Sequence, residues 1–156
     1  MAILKIVKKK SNEEFLRKKS REVTEITPRI LTLIDDMTET MREANGCGLA
    51  AVQIGVLRRI VVIETEEGLF RLINPVIVDA SGEQEGVEGC LSIPHEWGLT
   101  KRPETVTVRA LDVSGKEIEI TGHGLLAKAL CYEIDHLDGK LYTDIAIRML
   151  DKDEIE

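Results

Sequence analysis

The chain has 156 residues and a formal net charge of -7; 43% of it is hydrophobic, 31% charged and 3% aromatic. This length fits one domain, residues 1–150, with a core of Leu, Ile, Val and Ala, followed by an acidic tail over 151–156. The negative balance argues against DNA or RNA as the main ligand, because neutralising phosphates takes an excess of Lys and Arg.

The basic stretch Lys5 to Lys10 is cut short by Glu13-Glu14 and reads as a solvated edge. Thr27-Pro28 predicts a helix start, with Thr27 as N-cap and Pro28 in the first turn. Ile30, Ile34, Met37 and Met41 follow at helical spacing, and Asn45-Gly46 is a stop, since either residue tolerates positive φ. The small-residue run from Gly46 to Gly55 is expected to be neither a normal helix nor a normal strand. Arg59 to Glu64 predicts a strand, Glu66-Glu67-Gly68 a turn, and Phe70 to Val78 a second strand. That second strand meets Asn74-Pro75; a proline donates no N–H, so an edge, bend or bulge is expected. Thr105 to Leu111 and Glu117 to Ile120 form a hairpin across the turn Asp112 to Gly115. Residues 124–138 form a helix with Leu126, Leu130, Ile134 and Leu137 on one side, ended by Gly139. Asp151 to Glu156 is expected to fray. Mixed strands with an early and a late helix give an α+β fold.

No apolar run approaches membrane-spanning length, and Met1-Ala2-Ile3-Leu4-Lys5 lacks a secretion-signal layout. Cys47, Cys90 and Cys131 cannot all pair with one another, and without a secretion signal they read as thiols or ligands. A cytosolic monomer with no membrane association is expected.

Three segments carry chemistry. Tyr132-Glu133-Ile134-Asp135-His136 would be the metal motif H-E-x-x-H if position 132 were histidine. Positions 132 and 136 share one helical face. Cys90 sits within Glu88-Gly89-Cys90-Leu91-Ser92; a lone cysteine there is by default a small apolar residue. Gln53 is the only amide in the small, apolar run that starts at Gly46, by default hydrogen-bonded to the loop backbone.

Together, Gly46-Cys47-Gly48-Leu49-Ala50-Ala51-Val52-Gln53, then Glu88-Gly89-Cys90-Leu91-Ser92, then Glu133-Ile134-Asp135-His136-Leu137-Asp138-Gly139, resemble the three signature motifs of the peptide deformylase family. The resemblance runs from the early helix to about residue 145. It implies an α+β fold of antiparallel sheets packed around the late motif helix. It also implies a metal-dependent hydrolase that removes the formyl group from the N-terminal methionine of nascent proteins. Fe(II), with Zn or Ni as substitutes, would be the metal, and Cys90 and His136 would be two of its ligands. Glu133 would be the general base and acid, and Gln53 with the Leu91 N–H the oxyanion hole. Gly48 would position the substrate backbone, and Leu125 and Ala129 would line the methionine pocket. A metal of this kind lowers the pKa of bound water from about 15.7 to about 7.

The chain departs from the pattern at Tyr132, which stands where the first helical histidine belongs. A phenol with pKa near 10 is a poor ligand at neutral pH. It is expected to fill the metal's space and to hydrogen-bond Glu133, His136 or Cys90, leaving metal binding weak or absent. Cys131, adjacent in sequence, points elsewhere, and Cys47 is a remote substitute. Val52 stands for the family's usual proline, and Trp97 flanks the groove. Two functions remain: a deformylase impaired by Tyr132, or a non-catalytic relative that binds formyl-methionyl peptides or the ribosome exit region. An ordinary H-E-x-x-H zinc endopeptidase has no place for the Cys90 motif or the Gly loop.

Overall fold

The computed structural model describes residues 2–155. In chain order its elements are α1 (Lys9–Leu16), α2 (Pro28–Glu43), β1 (Gly48–Ala50), a 3-10 turn (Ala51–Ile54), β2 (Ile60–Thr65) and β3 (Gly68–Ser81). There follow β4 (Gln84–Cys90), β5 (Ile93–Arg102), β6 (Thr105–Leu111), β7 (Glu117–His123), α3 (Leu125–Leu137), a 3-10 turn (Tyr142–Asp144), β8 (Arg148–Met149) and α4 (Lys152–Ile155). The strands form a five-stranded sheet, order β1-β2-β3-β6-β7, and a three-stranded sheet, order β4-β5-β8. Neighbouring strands pair antiparallel in both, so the α+β expectation holds. No helix of the described residues is long and apolar enough to cross a membrane.

The apolar run Ile60-Val61-Val62-Ile63 has no polar face because β2 is covered on both sides. Alternation sends Val61 and Ile63 toward Leu130 and Ile134 of α3. It sends Ile60 and Val62 toward Ile34, Met37 and Met41 of α2. α2 begins as its sequence predicts: the Thr27 hydroxyl accepts from the Ile30 N–H, with Pro28 in the first turn. Its end is marked by Asn45 at φ 57°.

The Asn74-Pro75 irregularity is a bulge, with the β3–β6 register shifting between Ile73 and Val76. It lies in a strand flanked by β2 and β6, not at an edge. The Asn74 amide takes up the lost pairing by bonding both the N–H and the C=O of Val23.

α3 ends where Arg59 caps the Leu137 carbonyl and pairs with Asp138. Gly139 follows at φ 77°, and a Cβ there would collide with the Arg17 carbonyl. A side chain is therefore excluded twice, by φ and by space.

Three expectations need correction. The small-residue run does form regular structure: Gly48–Ala50 pairs with β2, and Ala51–Ile54 makes one 3-10 turn. Small side chains let the middle of this run, residues 48–53, lie buried between the cores of α2 and α3. The stretch Lys5 to Lys10 is not simply a solvated edge. The Val7 N–H reaches the Gln53 carbonyl and the Lys9 N–H the Ser92 carbonyl. The tail is helical over Lys152–Ile155, held by an Arg148–Glu154 ion pair; Glu156 lies outside the described residues.

The β4–β5 hairpin is joined to α3 by charge. Arg102 forks onto both oxygens of Glu88, at 2.9 Å each, and reaches Asp135 of α3 at 2.6 Å. Thr100 adds a fourth bond, to Glu88. Arg102 is 5% exposed and Glu88 3% by side chain. Removing one member of a buried pair leaves an unpaired charge, which typically costs about 3–5 kcal/mol. Arg102→Met is therefore expected to destabilise the protein by about that much in urea unfolding, whereas the exposed pair Arg109–Glu117 should cost under about 1 kcal/mol when broken.

Candidate active site

The pocket of about 660 Å³ lies between α3 and the β4–β5 hairpin, within the usual size for a small-ligand site. Each wall has a local cause. Cys90 ends β4, and the chain turns through Leu91 and Ser92 into β5. The β4–β5 register shifts between Glu88 and Cys90, and His95 adopts φ 65°. This irregularity splays residues 94–97 over the pocket, so His95 and Trp97 line it. α3 presents Leu125, Ala129, Tyr132 and Glu133 from the other side.

The residues singled out in the sequence gather here. Cys90 Sγ is 3.4 Å from His136 Nε2, and Tyr132 Oη is 3.2 Å from the same nitrogen. Tyr132 and Cys90 pack in the same buried cluster. Its ring meets the imidazole edge-on at 5.0 Å between centroids and packs with Tyr142, Leu141, Ile93 and Leu16. Gln53 is buried; its Nε2 donates to Ser92 Oγ at 3.1 Å and lies 3.7 Å from Cys90 Sγ. Its Oε1 accepts from the Ala50 N–H. Gly48 lies against Glu133, and a Cβ there would collide with the carboxyl group. Leu91, Leu125 and Ala129 line the same pocket, Leu125 at its exposed rim. Cys131 is buried away from the pocket, whereas Cys47 is exposed and on its wall.

Sequence reasoning missed four contributors. Ser92 orients the Gln53 amide, though only its place in the Cys90 motif pointed to it. Arg102 holds Glu88 and Asp135. Lys8 and Lys128 also line the pocket; the run of lysines near the N-terminus was a signal for the first.

Burial sets the protonation states. The Cys90 thiol is pushed up to about 11 by desolvation, against the bond from Tyr132. Desolvation, with Cys90 and Glu133 adding to it, holds the Tyr132 phenol well above its ordinary value. Glu133 is raised well above its ordinary carboxylate value, first by burial and then by Glu88. His136 is lowered to about 4, first by burial and then by Arg102, and is neutral. Glu133 Oε1 and His136 Nδ1 are buried without partners.

The donor set here is a thiol, an imidazole and a phenol. Among the described residues no group of three His, Cys, Asp or Glu side chains is arranged to hold a metal ion. A metal-bound histidine usually anchors its second nitrogen on a carboxylate, carbonyl or water, and no carboxylate or carbonyl of the described residues bonds His136 Nδ1. The side chains present do not fit the Cys–His–His centre that the resemblance implies.

Comparison with known proteins decides the ancestry. The sequence profile described as Polypeptide deformylase matches residues 3–152. The chain belongs to the polypeptide deformylase family. It is 59% identical over 148 residues to a peptide deformylase of Thermoanaerobacter pseudethanolicus, covering 95% of this chain and 93% of that protein. It is 50% identical over 156 residues to one from Caldicellulosiruptor bescii, covering 100% and 93%. The crystal structure of a peptide deformylase from Legionella pneumophila superposes with a TM-score of 0.87 at 45% identity, covering 97% of this chain and 88% of that one. A peptide deformylase from Ehrlichia chaffeensis in complex with actinonin gives 0.89 at 39%, covering 99% and 92%. The deformylase fold is thus intact around the altered corner.

Exposure separates the three thiols of this family member. With Cys90 and Cys131 buried and both pushed up to about 11, only Cys47 should react promptly with a disulfide reagent at pH 8. One thiol per native chain and three after unfolding are expected; two or more fast thiols would show that the Cys90 corner opens readily.

Proposed function

We propose that this chain binds the formyl-methionyl end of nascent peptides in the pocket between α3 and the β4–β5 hairpin, and that it hydrolyses the formamide slowly because Tyr132 holds the metal position. Family membership and relatives at 50–59% identity named peptide deformylase support the substrate class and the hydrolytic chemistry. Chains emerging from the ribosome are the source of such ends, so this reading assigns the protein's work to the cytosol.

One observation carries the impairment: Tyr132 Oη is 3.2 Å from His136 Nε2, the nitrogen that a metal would need. Iron, zinc or nickel would have to displace that bond and draw the proton from a desolvated phenol. The other parts of a formamide site stand ready. On this reading the Gln53 amide and the Leu91 N–H would meet the formyl oxygen, each such donor contributing about 3 kcal/mol where charge develops. Glu133 holds a proton for the leaving amine nitrogen. Gly48 lets the peptide backbone approach, and Leu125 with Ala129 meets the methionine side chain. What is missing is a group that makes water nucleophilic at neutral pH. A chain that binds formyl peptides without hydrolysing them is the limiting case of the same observation.

Elemental analysis of protein purified without added metal should give well under one iron, nickel or zinc per chain. A full, tightly held equivalent would overturn the proposal. A chelator should leave the melting temperature nearly unchanged, because the phenol and not a metal fills the corner; a fall of many degrees would mean that bound metal contributes folding free energy.

Tyr132→His places an imidazole one turn from His136. With nickel, or with iron and exclusion of oxygen, this variant should take up one ion and deformylate formyl-methionyl peptides at least about a hundredfold faster, roughly 3 kcal/mol in barrier. A parent already as active as the variant would make Tyr132 a working ligand.

A further inference from the structure

The formyl-peptide reading gives no role to the two lysines on the pocket wall. Lys8 comes from the N-terminal segment and donates from Nζ to the Leu91 carbonyl at 3.2 Å. Lys128 comes from α3 and donates from Nζ to the Val87 carbonyl, also at 3.2 Å. Both are half-buried and both line the pocket. Among the described residues neither joins an ion pair. In a chain of net charge -7, two unneutralised ammonium groups on one pocket are a local reversal of sign.

The opposing charges on the wall are three carboxyl groups: Glu88, Glu96 and Glu133. The Arg102 fork neutralises Glu88. Glu133 is buried beneath the wall, with Gly48 packed against its carboxyl group. Only Glu96 is an exposed anion. The wall therefore carries two cations against one anion. Each cation is also pinned by a backbone carbonyl, so holding it for a ligand costs little further side-chain entropy. The two carbonyls are four residues apart in the chain, at most about 14 Å. A peptide of three or four residues spans that distance.

We propose that Lys8 and Lys128 make this pocket select peptides that carry a carboxylate within the first few residues after the formyl-methionine. The inference rests on the formyl-peptide reading above and adds a sequence preference to it. An exposed ion pair typically changes affinity by up to about fivefold, and a partly buried one by more.

Isothermal titration is the test, with Trp97 fluorescence as a second readout because the only tryptophan of the chain lies on the pocket wall. The probes are formyl-Met-Glu-Glu amide, formyl-Met-Gln-Gln amide, formyl-Met-Lys-Lys amide and formyl-Met-Gln-Gln as free acid. The Glu-Glu amide should bind about fivefold tighter than the Gln-Gln amide, and the Lys-Lys amide more weakly than either. The preference should shrink in 0.5 M salt, where charges are screened within about 4 Å. It should vanish in the double variant Lys8→Gln/Lys128→Gln and persist in Lys8→Arg/Lys128→Arg. A gain confined to the free acid would support carboxylate recognition and assign it to a chain terminus. Equal affinities for the Glu-Glu and Gln-Gln amides, with no gain for the free acid, would overturn the inference, as would a preference that survives the double glutamine variant. If that variant does not fold, the arginine variant and the salt series on the parent decide. Failure of every formyl peptide to bind would instead remove the formyl-peptide reading itself, and this inference with it.

Discussion

The buried guanidinium of Arg102 is the contact on which the site depends. Cys90 and His136 lie on different elements, one at the end of β4 and one near the end of α3. No backbone ladder connects those elements, since β4 pairs with β5 and α3 packs on the larger sheet. Arg102 closes the gap by holding Glu88 on the hairpin and Asp135 on the helix at once. Cys90 lies two residues beyond Glu88, and His136 one residue beyond Asp135. A shift in this one charged bridge would move the thiol relative to the imidazole. Its cost is the desolvation of three charges, which a purely stabilising design would avoid. What it provides is a fixed distance between two walls of a pocket.

Tyr132 changes the meaning of that fixed distance. With a histidine there, the bridge would hold three donors around a central ion. With tyrosine, it holds a thiol, a phenol and an imidazole close enough to share hydrogen bonds directly. The tyrosine ring joins the apolar cluster of Leu16, Ile93, Leu141 and Tyr142, so its body gains contacts while its hydroxyl takes the polar corner. His136 Nδ1 and Glu133 Oε1 lie buried beside it without a protein partner.

Much of the fold was legible in the sequence because the relevant forces were local. Thr27-Pro28 announced α2 through capping chemistry, the spacing of Leu126, Leu130 and Ile134 announced α3, and Asp112 to Gly115 announced the β6–β7 hairpin. The stretch from 84 to 102 was not legible as strands. Gln84-Glu85-Gly86-Val87-Glu88 is polar and charged, and its strand conformation comes from pairing with β5 and from the Arg102 bridge, both non-local. The buried run Gly48–Ala50 was missed for a related reason: it is strand because β2 lies beside it, not because Gly-Leu-Ala favours extension. At the site, the three motifs located Cys90, Gln53, Glu133 and His136, since the spacing of such groups reflects chemistry. Lys8 and Ser92 were not legible, because their roles depend on which distant carbonyl or amide they meet in space.

The double coverage of β2 also decides how the protein comes apart. Ile60 to Ile63 are fully buried between the cores of α2 and α3, so their amides can reach solvent only when both layers separate. Hydrogen exchange at β2 should therefore require global unfolding. The β4–β5 hairpin is attached differently, by the Arg102 bridge, the short strand β8 and scattered bonds such as Lys9 to Ser92, Gln53 to Ser92 and Cys90 to His136. The site thus joins two kinds of support: Cys90 is held by side-chain contacts of the hairpin, and His136 by a helix packed on the larger sheet.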